Sequence, residues 1–561
     1  MKSYKKYILI TVGLMTASLQ GCSLLDEELY TTYTKEELYE TEAGIAGILA
    51  GAWMPLTKQN CYGQFYTAVV HGMSGAYIYN QAGTWAPLSG WQMNAGFDQL
   101  YKYWTSAYSV ISQCNDLIYY IEDSPVAEDI RNPYRGEAYL LRAMMYFDLV
   151  RLFGGVPLRL EPTNENNIYC PRATAAEVYA QIISDLTQAE SLMCEKGAQR
   201  TGHPHRLAAT ALKAKVYMVM AGNRPSAVNS VDAAVTEEML AERYQDSDKN
   251  ADTPTNFWFL AYDSAKKVYG EYALVPDFTD LWDVNQQNST ESIIEIQNSS
   301  ATPNATASIA RVWMNKNNAD YAPKAGTYLA ALRPRRNQWR YFEEGDPRRD
   351  ITCIINVKRT LQSDGTVKEE PLFPTAGAAA KDQYPIVKKY VDPDVSAVGN
   401  GNENIFYLRY AEILLILAET VNEIENSPAN AYAYVNEVLT RARCSTTDGS
   451  IVTYPKNWGA TSDGETIAVT TVQQFRNAIL EERFRELMGE FNEFSDFRRR
   501  GTAKFCELLS YQNEDYMAGT NDVYFEVDNS TWVKRYMLMP IPLQELNENI
   551  EISIVEQNFG Y

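Results

Sequence analysis

Apolar residues recur at spacings of three and four through most of the first 220 positions and again from about 405 to 501, while the stretch between them carries no sustained period. Gly136 to Pro157 is the clearest segment. Ala138, Leu141, Met145, Leu149 and Leu152 form one apolar stripe there, and Tyr139, Ala143, Tyr146, Val150 and Phe153 form a second beside it. Two adjacent stripes need two packing partners, so the pattern predicts a helix held inside a layer of helices. Gly154-Gly155 and Pro157 should end it, because glycine accepts left-handed dihedrals and proline cannot continue the ladder. The same spacing predicts helices over 34–56, 97–122, 174–194, 206–221, 256–268, 405–426, 428–443 and 471–489. Gly44, Gly47 and Gly51 read as points of close approach to a neighbour, and Thr174 with Glu177 reads as a capping box.

Helix, short turn, helix, repeated, is how tetratricopeptide-like arrays are written, although no clean 34-residue period is present. The predicted fold class is therefore mainly α, with a helical-repeat scaffold over about 34–222 and 405–501. A loop-rich insert spans about 223–404, where short β-like runs at 292–297 and 351–358 lie among Asn-, Pro- and Gly-rich loops. Recognition usually sits on such loops. Helical arrays grow without splitting, so residues 22–561 are read as one domain.

The N-terminus changes the picture. Lys2, Lys5 and Lys6 precede an apolar run from Tyr7 to Leu19, which is too short to span a membrane and reads as a targeting segment over 1–21. Leu19-Gln20-Gly21-Cys22 resembles the lipobox of bacterial lipoproteins, which implies cleavage before Cys22 and acylation of that residue. The acidic run Asp26-Glu27-Glu28 just after it resembles the export tract of Bacteroidetes surface lipoproteins. Cleavage would take 50 basic residues to 47 against 71 acidic ones, a net charge of −24 that argues against nucleic acid or anionic lipid as partner. The remaining seven cysteines are irregularly spaced with no C-x-x-C, so neither a zinc site nor an obligate disulfide framework is expected.

The 39 tyrosines and 10 tryptophans are a surplus of flat amphipathic side chains, most of them structural, with a carbohydrate- or peptide-binding surface able to account for the remainder. Sugar recognition needs aromatic faces against pyranose C–H groups and planar polar groups against hydroxyls. The stretch from Ser74 to Asn94 holds both, in Tyr77, Tyr79, Asn80, Gln81, Trp85, Trp91, Gln92 and Asn94. The alternative is that each Trp pins its loop to the scaffold. A second group comprises Trp282, Trp313 and Trp339 with Arg311, Asn315, Asn317 and Asn318. Trp282 is expected in the core, and Trp313, in a polar loop, is the better candidate for a ligand. Alanine at Trp91 and Trp313 is expected to weaken binding without lowering the melting temperature. The block from Glu481 to Arg500 reads as a structural ion-pair network rather than an acid–base pair, and His203-Pro204-His205 as a solvated loop, since proline prevents i, i+4 metal spacing. No cofactor or nucleophile motif is present.

Six segments in order carry a family resemblance: 138–158 (AYLLRAMMYFDLVRLFGGVPL), 171–186, 206–222, 407–423, 479–501 (ILEERFRELMGEFNEFSDFRRRG) and the late LMPIPLQELNENI. Together with Cys22 they resemble the SusD/RagB family of outer-membrane nutrient-binding lipoproteins across nearly the whole chain. QNFGY departs from the family's usual Asn-Pro-Gly-Tyr-like ending. The resemblance implies a non-catalytic, lipid-anchored, surface-exposed protein of the cell outer membrane, built on four tetratricopeptide-like helix pairs. It would capture an oligosaccharide and deliver it to a SusC-like TonB-dependent transporter; oligopeptide capture, as in RagB-like members, is the alternative. In starch-binding members a Trp and an Asn near the Ser74–Asn94 stretch contact glucose, and Trp91 with Asn94 offers that pairing. A glycoside hydrolase using a carboxylate pair is a third reading, from another class.

Overall fold

In the computed structural model, residues 34–80, 83–222, 257–299, 309–314, 318–320, 330–392, 401–446, 450–520 and 522–561 are described; Cys22 and the targeting segment lie outside them. Two threonine caps divide the first predicted helix. Thr34 closes a capping box with Glu37 over a short turn at Lys35–Tyr39, and Thr41 caps α1 (Glu42–Trp53). The chain folds back so tightly between them that a Cβ on Gly44 would lie 2.1 Å from the Leu38 carbonyl oxygen. Gly47, by contrast, faces open space and serves no close approach.

Besides five further short helices at Ala86–Ser89, Arg336–Arg340, Pro347–Thr352, Ser530–Arg535 and Leu543–Glu548, the described residues form α2 (Phe65–Gly72), α3 (Asp98–Tyr120), α4 (Glu128–Phe153), α5 (Ala175–Leu192), α6 (Arg206–Gly222), α7 (Phe257–Val268), the single turn α8 (Ala310–Trp313), α9 (Tyr410–Glu425), α10 (Tyr432–Cys444), α11 (Val472–Glu486), α12 (Glu493–Arg498) and α13 (Gly501–Asn513). They stack nearly in chain order: α1 on α3, α3 on α4, α4 on α5, α5 on α6, α6 on α7, α7 on α9, and α9 on both α10 and α11. This is the layered array the spacing predicts. Helix α4 shows why it forms. Its first stripe is wholly buried, as are Ala143, Tyr146 and Phe153 of the second, because α3 covers one face and α5 another. Arg142 forks onto Asp185 of α5 through bonds of 2.8 and 2.6 Å, fixing the register between the two helices, and Gly154 ends α4 at φ +71°.

Strands are short and paired in twos. β1 (Tyr77–Tyr79) runs antiparallel to β3 (Leu332–Pro334), β2 (Ser292–Ile296) to β6 (Ile405–Arg409), and β4 (Val357–Leu361) to β5 (Val367–Pro371). The β6 strand corrects the helix predicted over 405–426, which begins only at Tyr410. Ile405 to Arg409 are all buried, so period cannot separate strand from helix there, and the β-branched partner Ile293-Ile294 decides it. Residues 351–358 likewise divide between a helix ending at Thr352, a two-residue strand at Cys353–Ile354 and the start of β4.

Two features lock the array. Charges from α10, α11, the turn after it and β6 form a buried network: Arg409 reaches Glu490 at 2.6 Å, Glu291 at 2.6 Å and Glu486 at 2.7 Å, while Arg441 and Arg348 also converge on Glu486. A neighbouring cluster joins Lys215 and Arg483 to Glu412 and Arg499 to Glu419 and Asp496. This is the structural ion-pair network expected of the Glu481–Arg500 block. The second feature is the C-terminal segment, which runs back across the first helices. Met539 N donates to Leu152 O at 2.7 Å, Leu543 N to Ala95 O at 2.8 Å, and Asn558 Nδ2 to Phe153 O at 2.8 Å. Among the described residues no helix is long and apolar enough to cross a membrane.

Candidate ligand-binding face

Four of the six side chains proposed from sequence as ligand contacts are enclosed, and these are corrections. Tyr77 donates to Glu493 at 2.5 Å and packs edge-on against His71 and Trp313. Trp313 is fully buried between His71, Tyr77 and Tyr390. Trp91 takes a left-handed backbone, φ +51°, which turns its indole inward against Phe525, Trp532 and Tyr536 and lets Nε1 donate to Gly72 O at 2.9 Å. Tyr79 lies in β1 with its ring covered by Trp85. Burial of this kind makes tryptophan a core residue. Trp91→Ala and Trp313→Ala should therefore each lower stability, by about 3–5 kcal/mol. Chemical denaturation checks this, and an unchanged midpoint would return either ring to the list of ligand contacts.

Trp85 and Asn94 remain accessible. Trp85 stacks on Tyr79 with centroids 5.1 Å apart and planes at 27°, and meets Phe65 and Phe97 edge-on, so one part of the indole is anchored while the ring stays half-buried. Asn94 is exposed; its Oδ1 accepts from Gly96 N at 3.0 Å in the turn that starts α3, leaving the amide nitrogen facing outward with only a 3.5 Å contact to Gln92 O. Gln92, Asp98 and Lys102, all exposed or partly so, lie along the same turn and first helical turns. On the other side of Tyr79 lies Arg311 of α8, whose charge opposes the rise that burial imposes on the Tyr79 phenol. Arg311 Nε and the Tyr79 hydroxyl are both buried without a hydrogen-bond partner among the described residues. The arrangement is an anchored indole that meets Phe97, whose amide bonds to the Asn94 carbonyl, with a guanidinium past the tyrosine. These groups can cover a sugar face and bond its hydroxyls.

The second sequence group does not converge. Trp282 packs on Phe278, Tyr390 and Phe406 with Lys389 Nζ 4.5 Å above its ring, in keeping with the expected core position. Trp339 meets Phe373 and Arg349 elsewhere, Asn318 is buried, and Gln81, Asn315 and Asn317 lie outside the described residues. Arg311 is the residue whose position sequence pattern could not supply: β1 and β3 pair across more than 250 positions and bring α8 to Tyr79.

Residues 236–561 match the profile described as the SusD family, and residues 24–218 match one described as "Starch-binding associating with outer membrane". The chain is 26% identical over its full length, and the full length of the relative, to SusD-like protein P2 of Formosa agariphila, and 27% identical over 40% of each chain to a SusD-like protein of Bacteroides ovatus. Among solved structures it resembles a SusD homologue from Bacteroides thetaiotaomicron, with a TM-score of 0.73 at 21% identity, covering 94% of this chain and 99% of that one. It also resembles a laminarin-binding SusD-like protein, with a TM-score of 0.63 at 22% identity, covering 93% and 100% of the two chains. With that profile matched over more than half its length and the array, its strands and its C-terminal return all described, this chain belongs to the SusD family.

Proposed function

We propose that this protein binds an oligosaccharide at the cell surface and passes it to a SusC-like TonB-dependent transporter in the outer membrane, held there by lipid on Cys22. The observation that carries the binding reading is Trp85, an indole that stacks on Tyr79, meets Phe97 edge-on and stays accessible on a scaffold of this family. The starch-binding description of one matched profile and the laminarin-binding neighbour support a carbohydrate as ligand, and the same profile description supports association with the outer membrane. The lipobox-like run supports the anchor, and mass spectrometry of the N-terminal peptide checks it. Binding is favoured over catalysis because Glu482, Glu486, Glu490, Glu493 and Asp496 are buried and bonded to the protein's own side chains or backbone. Carboxylates buried and held in this way are enclosed by the protein and out of a substrate's reach.

Trp85→Ala should weaken glycan binding about tenfold or more, the worth of one stacked ring with its buried area, while the protein stays folded. Calorimetry against oligosaccharides selected on a glycan array measures this; equal affinity would remove Trp85 from the site. Binding to a peptide library, with an empty glycan array, would establish oligopeptide capture instead.

A further inference from the structure

The loop between α5 and α6, expected from sequence to be solvated, forms the wall of a groove on a different part of the molecule. His205 is buried, and its ring lies parallel to Tyr272 at 5.5 Å and 12°, with Nε2 2.9 Å from the Tyr272 hydroxyl. Tyr410 supports the same tyrosine from another side, and Lys196 Nζ stands 5.4 Å from its centroid. Burial first, then the charge of Lys196, holds the His205 imidazole below its usual range, so it is a neutral plate behind Tyr272. Its Nδ1 is buried with no hydrogen-bond partner among the described residues. Tyr272 itself is half-buried and borders a cavity of 560 Å³ that extends past Asn288 and Thr201.

Gly202, His203 and Glu295 also line a second cavity, of 420 Å³, which Trp53 borders. Trp53 is half-buried, and its Nε1 is buried without a partner among the described residues. Gly202 lines both: it takes φ +77°, and a Cβ there would stand 2.9 Å from Gln297 Oε1, so a larger residue would be strained and would push against the Gln297 amide. The floor is polar and held rigid. Gln297 exchanges amide bonds with Asn288 at 2.9 Å in each direction, Asn404 donates to Glu295 at 2.8 Å, and His203 Nδ1 lies 2.7 Å from Glu137. The two cations of the lining are paired in place, Arg200 beside Glu137 and Lys196 beside Glu271, and Glu295 adds a carboxylate bonded to Asn288 N and Asn404 Nδ2.

We infer that this groove is a second carbohydrate site, separate from the Trp85 face, that takes a neutral oligosaccharide with one pyranose on Tyr272 and another toward Trp53. Two aromatic walls and a floor of fixed carboxamides suit uncharged hydroxyl-rich rings, whereas an anionic ligand would find both cations already paired and the Glu295 carboxylate beside it. The choice of ligand class rests on the glycan-binding reading, but the groove and its location do not.

Calorimetry with an oligosaccharide selected on a glycan array, performed on the full chain, separates the two sites. Wild-type protein should bind two equivalents, Tyr272→Ala one, Trp85→Ala one, and the double variant none, with affinity at the altered site down about tenfold or more. Because Tyr272 also packs against the core, Thr201→Trp serves as a second variant: Thr201 is exposed at the cavity, so the indole blocks the groove and leaves the Tyr272–His205 stack in place. A single equivalent that survives both Tyr272→Ala and Thr201→Trp but not Trp85→Ala would overturn this inference and leave the proposed function standing. A single equivalent lost in Tyr272→Ala and Thr201→Trp but kept in Trp85→Ala would establish the groove and remove Trp85. No binder across the array would overturn both.

Discussion

Glu486→Ala is expected to leave little or no folded protein. Glu486 is fully buried; Oε1 accepts from Arg409 at 2.7 Å and from Arg441, and Oε2 accepts from Arg348 at 2.9 Å. Breaking one buried pair by deleting a partner costs about 3–5 kcal/mol, because the orphaned charge stays desolvated. Here three guanidinium groups lose a shared partner at once; Arg409 and Arg441 keep Glu291, and Arg348 keeps Asp346 and Glu482, but the buried site loses a negative charge, against a total stability of about 5–15 kcal/mol for an ordinary domain. Glu481→Ala on the same helix is the control. That side chain is 46% exposed and touches Arg485 only at 3.9 Å, so its loss should change stability by under about 1 kcal/mol. Comparable melting curves for the two variants would show that the network contributes nothing net.

The same network sets the acid limit. Burial alone would raise the Glu486 carboxyl, but Arg441, Arg409 and Arg348 outweigh it and hold the group well below the usual range; Arg499 and Arg500 do the same for Glu419. Against burial, Lys215 and Arg483 bring Glu412 down to about 2. A carboxylate depressed in the fold contributes stability above its unfolded pKa and loses it as pH falls toward the folded one. Stability should therefore fall steeply from about pH 4.5 to about pH 2.

Glu403→Gln should do the opposite at the other end of the scale. Burial, then the nearby charge of Asp392, pushes the Glu403 carboxyl up to about 8, while the Ala310 amide, donating at 3.3 Å, pulls against the rise. A group whose pKa is raised on folding contributes its stability fully below the unfolded value, near 4.5, and loses it as pH climbs through 8. Each unit of difference is worth about 1.4 kcal/mol, so wild-type protein at pH 9 should be less stable than the glutamine variant by roughly 3–5 kcal/mol, with the two converging near pH 4.5. Denaturant midpoints measured on both proteins from pH 5 to 9 check this; parallel curves would mean Glu403 is ionised throughout.

Most of the helical array was legible because its longer elements announce themselves locally, whereas α2, α12 and α13 lie outside the ranges the spacing predicts. Two stripes on one helix, threonine caps at Thr34 and Thr174, and a left-handed Gly154 are all short-range signals, and the structure contains each of them. Ile405 to Arg409 escaped because a wholly buried run has no polar side to give it a period. The ligand face was read less well for a related reason. Sequence identifies aromatic side chains but not the direction in which the backbone points them, and the positive φ of Trp91 that sends its indole into the core leaves no mark on its neighbours. His205 and Tyr272 are 67 positions apart, so nothing local could show that a loop between two helices would form a stacked wall with a residue beyond α7.

Met539, Leu543 and Asn558 bond to backbone carbonyls at Ala95, Leu152 and Phe153, more than 380 positions earlier. The opening helices therefore present acceptors whose donors leave the ribosome hundreds of residues later. However readily the early layers stack as they emerge, they must wait for the far end to arrive before those carbonyls are satisfied. Synthesis order and folding order are thus tied together, and a chain interrupted late would carry the unmet bonds at its beginning.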